Sequence, residues 1–404
     1  MARELEDWLS AYLQYTENSE PPITYHTWCG LSLLAGALQR KAYLQWGFEY
    51  IYANLFAILV GPSGRTRKGI ALGIAKTMLS KVPEVSVAPE AASREAIIMA
   101  MKRANRNFQD PDDGTIKMHC SLTAFSEELA VLLGQGDIKL LANLTDWYDS
   151  KNDWAYETIG RGRDALQGLC LNLMGGTAPD WLQSMLPQEA VGGGFTSRVI
   201  FIVEDRKRKT VSEHQLTEAE LKLEEMLLRD LERINQLIGR FQFTDTGKHL
   251  YKSWYEEQDA LLTKGEAAVQ DPRFAGYCER RATHLRKVMM LCSASRGDTL
   301  LIDEPDFHRA LSILKMTERK MHRTFGGLGR AKDSDVTDKV IEYIRTMGTT
   351  TRTTLLGRFY RDLDAHGLKA VEEMLEQMKM VKIKLLPDQR EKVYVWIGEG
   401  AKRD

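Results

Sequence analysis

The stretch Gly61-Pro62-Ser63-Gly64-Arg65-Thr66-Arg67-Lys68-Gly69-Ile70 constrains this chain more than any other. It follows the run from Asn54 to Val60, short and apolar, as a buried parallel strand needs. It precedes Ile70, Leu72, Ile74, Ala75 and Met78, whose spacings suit a helix packed on a sheet. A glycine-rich turn from strand to helix that ends in Lys is the layout of a phosphate-binding loop. Successive backbone N–H groups and the helix N-terminus face the anion, and the Lys ammonium reaches the β- and γ-phosphates. The match to G-x-x-x-x-G-K-[ST] is imperfect. Gly61 stands one residue further from Lys68, Arg67 replaces the second Gly, and Gly69 replaces the Mg²⁺-binding Ser or Thr. The competing reading is a Gly/Pro turn with a solvated basic cluster.

Around that turn, strands alternate with helices over residues 50–205, which predicts an α/β fold with a mostly parallel sheet. At 404 residues more than one domain is expected. We place an N-terminal helical collar at 1–48, a P-loop ATPase core at 49–210, an all-α subdomain at 211–330 and a compact tail at 334–404. The core is expected to include a strand at Val85–Pro89, a helix capped by Ser93, and a hairpin arm at Asp153–Thr158. In the tail, three helices and a β-hairpin come in the order of a winged helix, a fold that binds DNA in some proteins and only protein in others.

The formal net charge of −1 announces no overall affinity for nucleic acid, so any such site must be local. The five cysteines lie far apart without a C-x-x-C pair, which argues against a zinc site or a disulfide framework and fits a reducing cytoplasm. No apolar run approaches the length needed to span a bilayer, and the N-terminus lacks a signal-peptide core, so a cytoplasmic protein without a membrane partner is expected.

Hydrolysis of ATP needs a phosphate cradle, a carboxylate to hold Mg²⁺ and orient the attacking water, and a cation for the charge that builds in transfer. Glu127 and Glu128, at the end of an apolar strand, suit the second requirement, Glu127 on the metal side and Glu128 on the water. Alternatively they are exposed helix-start carboxylates. Asn172 and Thr177 suit polar contacts to the γ-phosphate, although an Asn within a buried strand must be hydrogen-bonded somewhere in any case. Arg198 follows three glycines and suits an arginine finger reaching a neighbouring subunit's nucleotide; the plainer reading is a surface Arg on a flexible loop.

The segments from Asn54 to Ala71, Ser126 to Leu129, Leu171 to Leu182 and Gly192 to Val203, with Tyr277 to Lys287, resemble a family of uncharacterised P-loop proteins of bacteriophages and mobile elements. Related domains there are often joined to primases. The resemblance, over roughly residues 20–320, implies a RecA/AAA+-like ATPase that uses ATP and Mg²⁺. It implies a hexameric ring of identical chains that acts on single-stranded or forked DNA as a replicative helicase or translocase, with a separate primase or polymerase as a further partner. It also implies that Lys68 keeps the phosphate role in the variant R-x-R-K-G. In such motors, loops between the carboxylate strand and the next strand hold DNA. That interval offers Lys151, Arg161 and Arg163 for DNA, and Trp154 and Tyr156, for which packing on the sheet competes. Arg280, Arg281 and Arg286 are candidates for a second sensor, or for a solvated helical face.

Overall fold

The computed structural model describes residues 3–89, 93–133, 137–158, 162–186, 192–213, 215–325, 332–359, 368–369, 371–372, 375, 381–386 and 391–397. They fall into two compact units, Met1–Thr324 and Phe325–Asp404.

The first unit begins with α1 (Trp8–Tyr15), capped by Asp7, whose carboxylate accepts from the Ser10 amide at 2.7 Å. α2 (Ile23–Leu38) is buried almost all round, as its apolar sequence requires. Then come β1 (Ala42–Trp46), β2 (Glu49–Tyr52), β3 (Phe56–Val60) and, after the glycine-rich turn, α3 (Lys68–Ser80). α4 (Arg94–Arg103) is capped by Ser93 and leads into β4 (Asn105–Gln109) and β5 (Ile116–Ser126). Two helices, α5 (Leu129–Leu133) and α6 (Ile138–Tyr148), precede the hairpin of β6 (Asp153–Thr158) and β7 (Gly162–Gln167). β8 (Leu169–Thr177), α7 (Pro179–Met185) and β9 (Val199–Val203) follow. The unit closes with α8 (Glu218–Asn235), β10 (Gly239–Phe243), α9 (Asp245–Thr263), α10 (Ala275–Arg296), β11 (Leu301–Ile302) and α11 (Glu304–Met321).

An α/β core is what forms. Its sheet has the order β4-β5-β8-β3-β9, with β5, β8, β3 and β9 parallel and β4 antiparallel at one edge. β3, β8 and β9 are buried along their whole length, the signature of parallel strands covered on both faces. The expected strand at Val85–Pro89 is reduced to one bridge, Val87 to Thr123.

Two boundaries move. The span read as all-α contributes β10 and β11, which join β1 and β2 in a second sheet of order β11-β10-β1-β2. The N-terminal segment is therefore not a separate collar: β1 pairs in parallel with β10, about two hundred residues later, with Leu44 opposite Phe241. Such non-local pairing leaves no local signal beyond a short alternating run. Among the described residues no helix is long and apolar enough to cross a membrane. All five cysteines are free and buried.

Burial also keeps two imidazoles neutral: the pKa values of His26 and His284 are both pushed down to about 3, from an ordinary value near 6.5. Between those limits the unfolded chain takes up protons that the folded chain refuses. Their contribution to stability is full above about pH 6.5 and is lost as the pH falls toward about 3. Urea midpoints should therefore drop on acidification across that window, and His284→Gln should make the drop shallower.

The second unit holds α12 (Lys332–Met347), β12 (Thr349–Thr351), α13 (Arg352–Phe359), β13 (Val381–Leu386) and β14 (Glu391–Trp396), with strand order β12-β14-β13. Val340, Ile344, Leu355, Leu368, Val371, Leu375 and Tyr394 form its core. The expected Pro387–Asp388 connection and most of the linker read at Gly326–Asp333 lie outside the described residues.

Candidate functional site

β3, β8 and β5 are neighbours and end together. Val60 is opposite Thr177, and Ser126 is opposite Gly175, so the chain leaves all three strands on the same edge of the sheet. The crevice at the carboxyl ends of such strands is where open α/β sheets bind ligands.

The turn after Val60 is anchored at both ends. Gly61 donates its N–H to the Thr177 carbonyl at 3.1 Å, and Lys207 donates to the Arg65 carbonyl at 2.9 Å. Gly61 must be glycine, because a Cβ there would meet the Glu204 carbonyl oxygen at 2.6 Å, Thr66 Cγ2 at 2.7 Å and Tyr25 Oη at 2.7 Å. Arg67 adopts φ +58°, the left-handed region in which the consensus places its second glycine. Its guanidinium turns outward to Glu20, Nε to Oε2 at 2.7 Å, and Glu20 also binds Lys207. These cations hold the Glu20 carboxyl at a pKa of about 2, chiefly through Lys207. The N–H groups of Gly64, Thr66, Arg67, Lys68 and Gly69 donate to no described protein group. Ser63, Gly64, Arg65 and Ile70 are exposed, Pro62 and Gly69 half-buried, and Thr66 buried.

Lys68 is the first residue of α3, and its side chain folds back to donate from Nζ to the Gly61 carbonyl at 2.6 Å. Burial lowers its pKa, and the charge of Glu128 acts in the opposite direction. Arg67 and Lys68 thus separate cleanly: one faces Glu20 in solvent, the other closes the turn.

Glu127 lies against the start of α3. A Cβ on Gly69 would sit 3.1 Å from Glu127 Oε2, one on Gly73 3.9 Å from Oε1, and one on Gly176 2.8 Å from the Glu127 carbonyl oxygen. Gly69 and Gly176 therefore form a notch that admits this segment, and the carboxylate lies beside the position where the consensus carries a hydroxyl. Sequence spacing showed the missing hydroxyl but not what stands near it.

Other expected residues lie elsewhere. Asn172 lies well before the end of β8, which continues to Thr177, because Gly175 and Gly176 extend it where Leu129 and Glu127 pack closest. Asn172 is thus near the amino-terminal edge, about 15 Å along the strands from the turn. Its amide donates to Ser32 O and Oγ at 3.0 and 2.9 Å, and its oxygen accepts from the Leu55 N–H at 3.0 Å. It is a structural bridge, and Thr177 is the polar residue at the carboxyl edge. The turn before β9 does not present Arg198. This side chain is buried, bidentate to Asp149 at 2.6 and 3.1 Å, and donates to the Gly194 carbonyl at 2.9 Å. It precedes Val199, which is opposite Phe56, and so also occupies the amino-terminal edge.

That edge is braced by α10. Lys287 donates to the carbonyls of Tyr52 and Asn54 at 2.9 and 3.0 Å and to Asn54 Oδ1 at 2.6 Å, and His284 Nε2 lies 3.1 Å from the Ser197 carbonyl oxygen. Arg280 lies 4.0 Å from Asp149; Arg281 pairs with Glu318; Arg286 lies over Trp46. No side chain of this trio approaches the turn. Of the residues read for DNA, Lys151 is exposed and paired with Asp146, Arg163 is on β7 opposite Glu157, and Arg161 is outside the described residues. Trp154 stacks on Tyr156 at 6.2 Å and meets Trp147 edge-on at 5.6 Å, so both aromatics pack as hairpin residues do.

No protein-family model matches this chain, and no curated protein matches it.

Proposed function

We propose that the chain is a P-loop ATPase with its nucleotide on the Gly61–Ile70 turn, working as a ring-forming, Mg²⁺- and ATP-dependent DNA helicase or translocase in phage or mobile-element replication. The observation that carries this reading is the meeting of three things at one sheet edge: the Lys68 ammonium, the open amides of the turn, and the Glu127–Glu128 pair. Lys68 and the amides would hold the β- and γ-phosphates. Among the described residues no three His, Cys, Asp or Glu side chains converge on a metal position. Mg²⁺ commonly takes one or two carboxylates and completes its shell with phosphate oxygens and water, and Glu127 beside Gly69 fits that donor set. When bound, the ion would neutralise charge on the transferred phosphoryl group. Glu128 is the residue to orient the attacking water. The second unit would serve as a winged helix, and single-stranded or forked DNA, a hexameric ring and a separate primase or polymerase are the partners proposed.

ATP hydrolysis with and without single-stranded DNA, beside Glu128→Gln, tests the motor. Absence of DNA stimulation, or unchanged turnover in the variant, refutes it. One observation favours a second reading, an ATP-binding loader or regulator with weak hydrolysis: Arg198 and Asn172 are both fully engaged at the far edge. Tight nucleotide binding with negligible turnover and no strand separation would select that reading.

Gly69→Ser restores the consensus hydroxyl, yet it is expected to impair the site. The new side chain crowds the Glu127 carboxylate, which must give by a few tenths of an ångström, and turnover should fall about threefold or more, on the scale of ~100-fold per 1 Å of misplacement. Steady-state hydrolysis measures this; a faster Ser variant would show that the notch has no such purpose.

A further inference from the structure

The second sheet carries a cleft of 570 Å³ that the chemistry above does not use. Its walls are the carboxyl ends of the parallel strands β1 and β10 and residues of α9. Arg240, Lys248 and Lys252 line it, all exposed, and none forms an ion pair with a described residue. No described carboxylate lines the cleft. The contrast with other surface cations is clear, since Lys151 is held by Asp146, Lys117 by Asp110 and Arg67 by Glu20.

Aromatic surface accompanies the charge. Trp46 lines the cleft half-buried, its ring fixed edge-on by Tyr251 at 5.1 Å and Phe243 at 5.8 Å, with the Arg286 guanidinium 5.4 Å from its centroid. Beside it, Gly47 (φ +62°) turns the chain so that Phe48 stands fully exposed between β1 and β2, with Tyr50 also in solvent. An apolar ring held out at the tip of a tight turn has a flat face and no protein neighbour to cover it.

We propose that this cleft binds single-stranded nucleic acid, Arg240, Lys248 and Lys252 taking the phosphates while the exposed Phe48 ring meets the bases. Basic side chains interleaved with aromatic rings are how sequence-tolerant single-strand sites are built. An acidic peptide would satisfy the cations and leave Phe48 without a partner; a duplex keeps its base faces stacked internally. The inference gives the DNA reading above a contact surface and rests on that reading only for the use made of the polymer, since binding here needs no nucleotide.

The test is fluorescence anisotropy of the full chain with a labelled oligothymidylate, an abasic oligonucleotide and a polyglutamate peptide, all without ATP. Replacing Arg240, Lys248 and Lys252 together by Ala should weaken oligothymidylate binding about tenfold or more. It should also flatten the slope of log K against log salt by ~2, from about 0.7 per phosphate contact. Phe48→Ala should weaken oligothymidylate binding about fivefold or more and leave abasic binding unchanged. These side chains are exposed, so the unfolding midpoint should stay in place and any loss is one of contact. Lys68→Ala, run alongside, should bind the oligonucleotide as the parent does, which separates this site from the ATP reading. Unchanged affinity and salt slope in the triple variant would overturn the proposal. So would polyglutamate binding as tight as the oligonucleotide with Phe48→Ala silent, or DNA binding that fails in Lys68→Ala but survives in the triple variant.

Discussion

Lys68→Ala is expected to lower ATP turnover by about 10²–10³-fold, the loss typical of removing one charge-stabilising donor from a phosphoryl or oxyanion site. Arg67 cannot substitute, because its left-handed backbone aims the guanidinium at Glu20 rather than into the turn. The fold should tolerate the change. Burial already disfavours the Lys68 ammonium, and among the described residues its side chain donates only to the Gly61 carbonyl, which lies beside solvent-exposed residues of the turn. An unfolding midpoint close to the parent's, together with turnover lost, is therefore the signature of a phosphate-binding lysine. Turnover retained within about threefold would remove Lys68 from that role and return the turn to a Gly/Pro connection with a basic surface. Isothermal titration with ATP, with and without Mg²⁺, distinguishes loss of binding from loss of chemistry in the same variant.

Where signals were local, the sequence was legible. The strand–turn–helix of β3 and α3, the Ser93 cap, the β6 arm and β9 all follow from apolar runs and turn residues within a few positions of one another. The second sheet was not legible, because β10 is five residues between two charged helices and β11 is two residues, and both are defined by partners far along the chain. Glycine runs carry two different signals in this chain. Gly175-Gly176 is strand, packed where side chains would collide; the glycines before Arg198, which suggest a flexible loop, close a turn whose carbonyl accepts from that Arg. At Gly175, Gly176 and Gly194 glycine marks close approach, whereas Gly192, at φ +79°, supplies the left-handed backbone of the turn. The consequence for the site is specific. Lys68, Glu127, Glu128 and Thr177 share the carboxyl edge, whereas Asn172, Arg198, Arg280 and Lys287 brace the opposite one, a division that order along the chain does not reveal.

The largest loss of stability is expected at a residue remote from the turn. Glu318 and Arg281 are each only 4% exposed, and Glu318 accepts from Arg281 Nε at 2.6 Å and Nη2 at 2.8 Å, and from the Tyr277 hydroxyl at 3.0 Å. Glu318→Ala removes both acceptor oxygens and with them all three hydrogen bonds. The guanidinium, packed over Trp254 with Gln258 as its remaining partner, becomes a buried charge without a counterion. Breaking such a pair from one side destabilises by about 3–5 kcal/mol, because the orphaned charge keeps its desolvation penalty and loses its compensation. Urea unfolding of the first unit should show that shift. Replacing both partners together, Glu318→Leu with Arg281→Met, should recover most of it, since an apolar pair of similar volume has no charge to desolvate. The pair ties α10 to α11, and α10 in turn supplies Lys287 and His284 to the amino edge of the sheet. The single variant should therefore increase hydrogen exchange at β3 and β9 near Asn54 and Ser197 before it alters the turn at Lys68. A loss below about 1 kcal/mol, the range of an exposed pair, would mean that water reaches Arg281 and that the helices are joined by their apolar contacts alone.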